Sequence, residues 1–137
     1  MINKRLHTFV SLVVLCVSGA IALEVLTERG EREAVEHLAG QSEFAGAKIE
    51  VSLWDGTRCD MLTEEYAIEV DWSRKWGEAI GQSLYYAEVL QRKPGIILLV
   101  RDKRAEMVYV YRCQTVCAKY GIRLWVKYAV EKRGEEE

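Results

Sequence analysis

One proline, two histidines, two phenylalanines and four cysteines are all that 137 residues hold of those types. A single proline and no biased tract leave no place for a linker and a second domain. Four cysteines are too few for a disulfide scaffold, and none falls in a Cys-x-x-Cys pair, which argues against a zinc knuckle. His37 is the only histidine after residue 22, and no spacing supports a Ser–His or Cys–His triad built on it. A glycine-rich phosphate loop is also missing. Gly77-Glu78-Ala79-Ile80-Gly81 falls inside a helical pattern, not on a strand-to-helix turn. Against these absences, half of the residues are hydrophobic and 29% are charged, which excludes a disordered chain and is enough for a packed core.

The start of the chain reads differently from the rest. Lys4 and Arg5 precede an apolar run from Phe9 to Ala22, Ala20-Ile21-Ala22 offers small residues for cleavage, and no acid appears before Glu24. That is the layout of a secretory signal peptide over residues 1–22, followed by a single domain over 23–137. A secreted or periplasmic location follows, with no stable membrane insertion once the peptide is cleaved. The alternative is an uncleaved membrane anchor. Beyond residue 22 the chain carries 17 Lys+Arg against 21 Asp+Glu. The excess acid sits at the two ends: residues 58–128 hold 12 basic and 9 acidic side chains. Three cysteines remain, Cys59, Cys113 and Cys117. The last two, four apart on an expected helix, read first as small buried apolar residues and second as a redox pair.

Periodicity predicts a helix over 28–39 and a strand over 48–54, where Ile49, Val51 and Leu53 alternate. Asp55-Gly56 reads as a two-residue hairpin turn. A returning strand over 57–62 and a short apolar strand over 66–71 follow, the two separated by the turn Thr63-Glu64-Glu65. Ser73 is expected to cap a long helix running to about 91, and Pro94-Gly95 to break the chain. Ile96 to Val100 has the unbroken aliphatic character of a strand covered on both faces. Residues 105–120 read as a helix and 122–128 as a last strand. The expected fold is therefore α/β, in the order α-β-β-β-α-β-α-β, with a mixed central sheet flanked by helices. The four tryptophans, Trp54, Trp72, Trp76 and Trp125, are expected in the core or at its rim.

Two carboxylates interrupt the apolar strands: Asp60 in the second, and Glu69 in the third, within Ala67-Ile68-Glu69-Val70-Asp71. A carboxylate there is costly unless it is paired or binds a cation. A salt bridge to Arg58 or Lys75 is one solution. A hard divalent cation such as Mg²⁺ is the other, since one or two carboxylates suffice when water and phosphate complete its shell. Lys75, Gln82 and Tyr86 are seven and four residues apart, near one stripe of the following helix. An amine, an amide and a phenol are thereby expected on the side from which the two acids project.

Asp60, then Glu69-Val70-Asp71 in the next strand, then Gln82-Ser83-Leu84-Tyr85-Tyr86 in the following helix together resemble the PD-(D/E)XK nuclease superfamily, with Gln82 and Tyr86 similar to the Q-x-x-x-Y element of its RecB-like branch. The resemblance covers about residues 30–128 and implies a restriction-endonuclease-like core. It implies Mg²⁺ or Mn²⁺ held by Asp60, Glu69 and the carbonyl of Val70, and hydrolysis of phosphodiester bonds in DNA or RNA. Catalytic roles would fall to Asp60, Glu69, Lys75, Gln82 and Tyr86, and Glu31 or Glu33 would match an acid that many members carry in the first helix. The expected partner is nucleic acid, with a homodimer as a further association. One departure stands out: the family's lysine two residues after the glutamate is Asp71 here, so Lys75 would have to supply the amine from one turn into the helix. If it does not reach, the site is expected to bind metal without cutting, or Asp71 to serve as a third acidic ligand; the alternative function is then a non-catalytic binding or interaction module of the cell envelope.

Overall fold

In the computed structural model, residues 30–129 are described. The expected signal peptide and the charged C-terminal tail lie outside them. The chain divides into two units, residues 1–33 and 34–137. The described part of the first, residues 30–33, is helical.

Helix α1 covers residues 30–39. The strands are β1 (Lys48–Ser52), β2 (Arg58–Leu62), β3 (Tyr66–Trp72), β4 (Lys93–Val100) and β5 (Arg123–Tyr128). Helix α2 (Trp76–Leu90) stands between β3 and β4, and α3 (Lys103–Tyr120) between β4 and β5. Sequence order and spatial order coincide, β1-β2-β3-β4-β5. The first three strands are antiparallel neighbours, while β3, β4 and β5 are parallel. The molecule is thus α/β with an open, mixed sheet of five strands and three helices among the described residues.

The sheet is covered on two sides, and strand alternation decides which residue goes where. Val35, Leu38 and Phe44 pack on one face against Met61, Ile68, Val70, Ile97 and Leu99. On the other face, Ala79 from α2 and Val110, Cys113 and Cys117 from α3 pack against Ile96, Leu98 and Val100. The two thiols are buried, with their sulfurs 3.7 Å apart. The contact with the Cys117 sulfur, and then burial, push the Cys113 thiol up.

Four local expectations are corrected. The hairpin is not a two-residue turn on Asp55-Gly56: Gly56 N–H donates to the Leu53 carbonyl, and Gly56 itself takes a φ of 85°. The turn is therefore centred on Trp54-Asp55 and followed by a glycine in the left-handed region, a longer loop of the type that ends in a glycine bulge. Trp54 is accordingly not core but 84% exposed at the hairpin tip. Pro94-Gly95 does not interrupt the chain; both lie inside β4, because proline's fixed φ is tolerated near the start of an extended segment. Ser73 does not cap α2, which begins after a 3₁₀ turn over Ser73–Lys75. Its hydroxyl donates instead to Glu106, at 2.7 Å.

Gly95 is needed for contact. A Cβ built there would lie 2.9 Å from Trp125 Cζ3 and 3.2 Å from Ile68 Cγ1. The indole crosses β4 at this point and meets Phe44 and Tyr66 edge-on, each at 5.5 Å between centroids. Gly95→Ala is expected to lower stability by about 1–3 kcal/mol through overpacking. A thermal melt should register a drop of several degrees; an unchanged midpoint would mean that the ring moves aside freely.

Candidate functional site

Glu69 and Asp71 are two apart in β3, so they project from the same face as Ala67. That face looks toward α2, since Ala67 packs with Tyr86 and Ala87. Both acids are buried, 7% and 4% exposed. Asp60 reaches the same region from β2. Its Oδ2 accepts a hydrogen bond from the Val70 backbone N–H at 2.8 Å.

The backbone around Asp60 explains how it gets there. β2 pairs with β3 at Met61↔Ile68 and Leu62↔Ala67, and just beyond those pairs a carboxylate, not a carbonyl, takes the Val70 N–H. Alternation also breaks at this residue. Met61 packs with Val35 and Ile68, whereas Cys59 packs on the opposite face with Ala67 and Tyr86. Across the hairpin, the pairs Ile49↔Met61 and Val51↔Cys59 bracket Glu50, which has a φ of 56°. A non-glycine residue at positive φ is uncommon and marks a local kink. The kink turns Asp60 toward β3. Arg58, at the start of β2, pairs with Glu50 across the hairpin, Nε lying 2.6 Å from Glu50 Oε2. The N–H and C=O of one strand residue face the same neighbour, so the Val70 carbonyl faces the gap that Asp60 fills.

Tyr86 closes the cluster from α2. It is 4% exposed, and its hydroxyl is pushed up to about 12, first by burial and then by the negative charges of Glu69 and Asp60. The Cys59 thiol is also pushed up to about 12, by burial first and then by Asp60 and Glu69. Four side chains from β2, β3 and α2 thus share one electrostatic environment, and the phenol and thiol in it remain neutral at physiological pH. A pH dependence follows. An unfolded tyrosine loses its proton near ~10, but the folded Tyr86 holds it to about 12. Between those values unfolding releases a proton, so stability falls as pH rises, by up to about 1.4 kcal/mol per unit. Tyr86→Phe is expected to flatten this part of the alkaline slope in urea melts from about pH 9 to 11.5. Parallel slopes for the two proteins would contradict the assignment.

The remaining expected residues are placed less uniformly. Lys75, half-buried in the 3₁₀ turn before α2, brings Nζ to 3.8 Å from Asp71 Oδ1. Asp71 Oδ1 also accepts the Trp72 backbone N–H at 2.8 Å. Gln82 lies one turn before Tyr86 but is exposed, so the buried cluster does not include its amide. The helix buries Ala79, Ser83, Tyr86 and Ala87, and Gln82 falls beside that stripe. Glu31 and Glu33 belong to the unit of residues 1–33.

One functional-looking residue escaped the sequence reading. Glu106, in the first turn of α3, is 5% exposed. It accepts hydrogen bonds from the Ser73 hydroxyl at 2.7 Å, the Arg101 backbone at 3.1 Å and Arg74 Nε at 3.3 Å. Burial raises its pKa, but these three donors outweigh burial and hold it below the usual carboxylate range. A signal existed: Glu106, Val110, Cys113 and Cys117 follow helical spacing, so an acid stood on an apolar stripe.

As chemistry, Asp60, Glu69 and the Val70 carbonyl offer only hard oxygen donors, and the Lys75 ammonium lies by Asp71, two residues along β3 from Glu69. No group of three or more His, Cys, Asp or Glu side chains among the described residues is arranged to hold a metal ion. Two carboxylates and a carbonyl fit a cation of the Mg²⁺ kind, which keeps several waters and takes oxygen from its substrate. Compared with family models, curated proteins and solved structures, the chain matches none.

Proposed function

We propose that this chain is a divalent-metal-dependent phosphodiesterase acting on nucleic acid, on a restriction-endonuclease-like core. The observation that carries the proposal is the meeting of Asp60 and Glu69, from neighbouring strands, beside the Val70 backbone and the buried Tyr86. Asp60, Glu69 and the Val70 carbonyl would hold Mg²⁺ or Mn²⁺. The bound ion would make a water nucleophilic near neutral pH and neutralise charge on the scissile phosphate. Lys75 contributes a cation for the phosphate oxygens, and Asp71 holds that amine at the site. Tyr86, kept protonated, offers an O–H donor and no negative charge of its own. Gln82, on the exposed flank of α2, is available to the substrate instead of the ion. The basic and apolar start of the chain would direct the protein out of the cytoplasm; among the described residues no helix is long and apolar enough to cross a membrane.

The alternative is a non-catalytic binding module, favoured by two features: Asp71 stands where the family's lysine is expected, and Lys75 is 41% exposed. The two separate on one experiment. The full-length chain is given end-labelled single-stranded and duplex DNA and RNA with Mg²⁺, Mn²⁺ or EDTA. The hydrolase predicts cutting with metal and none with EDTA. Intact substrate under every condition supports the module.

A further inference from the structure

Three arginines away from Asp60 and Glu69 lie over aromatic rings. The Arg101 guanidinium stacks 3.8 Å from the Trp72 centroid, and Arg74 and Arg112 lie over Tyr109 at 5.7 and 5.9 Å. All three arginines are exposed. The buried carboxylate of Glu106 ties the group together, through the Arg101 backbone and Arg74 Nε. The acids of this stretch are already engaged: Asp102 caps α3 by accepting from Arg104 and Ala105, and Glu106 is internal. Lys103 and Arg104 add two exposed cations beside Arg101. Arg74 is next in the chain to Lys75, so the surface is continuous with the candidate site.

Guanidinium planes held on rings lose little side-chain freedom on binding and offer both charge and a flat face. Phosphates pair with the charge, and unstacked bases lie on the flat faces; a duplex keeps its bases inside its own stack. We propose that Arg74, Arg101 and Arg112, on Trp72 and Tyr109, form a binding surface for single-stranded nucleic acid that leads its backbone toward Lys75. The inference takes its ligand class from the phosphodiesterase proposal but does not depend on cutting.

The test is fluorescence anisotropy of the full-length chain with a labelled 15-nucleotide oligothymidine and with a duplex of equal length, in EDTA, from low to physiological salt. The single strand is expected to bind several-fold tighter than the duplex. Arg101→Gln and Arg112→Gln are each expected to weaken it about 5- to 10-fold and to reduce the salt slope by about 0.7 per arginine. Both side chains are exposed, and the Arg101 link to Glu106 runs through the backbone, so the fold survives both changes, as circular dichroism will verify. Arg101→Lys and Arg112→Lys keep the charge: the slope should persist while affinity falls, because the flat face is lost. Equal affinity for strand and duplex, or unchanged binding in the glutamine variants, overturns the proposal. Strand binding without cutting in Mg²⁺ or Mn²⁺ would leave this surface standing and remove the hydrolase. Cutting without arginine-dependent binding would do the reverse.

Discussion

Glu69→Gln and Asp60→Asn are each expected to reduce metal-dependent cleavage about 100-fold or more, because each removes one of only two carboxylate ligands available to the ion. The substitutions preserve shape and volume. Because neither change removes bulk, metal binding can be followed separately from cleavage. That gives a second readout. With Mg²⁺ or Mn²⁺ added, the wild-type melting temperature should rise, because an ion that binds only the folded chain stabilises it, and neither variant should respond. Lys75→Met should lower cleavage about 100-fold while leaving the metal-induced shift in place, since the ammonium is not a ligand. A loss of less than tenfold in Glu69→Gln, or a thermal shift retained by both acid variants, would remove these residues from the chemistry.

The second large effect concerns stability. Glu106→Ala deletes the acceptor for the Ser73 hydroxyl, the Arg101 backbone N–H and Arg74 Nε. All three donors belong to the short turn before α2 and the junction between β4 and α3. Breaking a buried hydrogen-bonded ion pair by removing one partner costs about 3–5 kcal/mol. A fall at the lower end of that range is expected, because Arg74 is largely exposed. The pH dependence has a defined sign. The folded Glu106 carboxyl is held below its usual range, so its contribution is complete above the unfolded value near ~4.3 and is lost as pH falls through the folded value. Urea melts at pH 7 and pH 4 should therefore show the wild type losing more stability on acidification than Glu106→Gln. Equal losses would mean that the carboxylate is not charged where it is buried. Because Glu106 fixes the turn that carries Lys75, Glu106→Ala should also loosen the amine's position at the site.

Strand and helix periodicity were legible because burial on one face imposes it. Ile96 to Val100 read as a doubly covered strand and is buried throughout, and the helix over Lys103–Tyr120 emerges despite Val108, Tyr109 and Val110. Tertiary packing on Cys113 and Cys117 outweighs the modest strand preference of those residues. The acids of β2 and β3 were legible for a related reason: a charge in an apolar strand needs a special partner. Their proximity was expected from the family resemblance and not from periodicity, because it depends on the kink at Glu50 and Asp60, and regular alternation gives no hint of a break. Gln82 was misplaced by a stripe drawn too broadly. It lies about 40° around the helix from Tyr86, enough to put one side chain under the sheet and the other in solvent. Ser73 reads as a helix cap by residue type, but a carboxylate 33 positions later claims its hydroxyl, and no local rule foresees such a contact. The hairpin failed at the level of turn type. Asp55-Gly56 fits a two-residue loop, and here Asp55 instead caps its own turn by accepting from the Thr57 N–H and hydroxyl.

The account rests on a cation site where β2 parts from β3. Crystals of the full-length chain soaked in Mn²⁺ test it directly, through anomalous scattering at the manganese edge. One peak is predicted, bounded by Asp60, Glu69 and the Val70 carbonyl, with oxygen ligands at about 2 Å and open positions toward Lys75. An ion bound elsewhere, or no ion between these two carboxylates at saturating Mn²⁺, contradicts it.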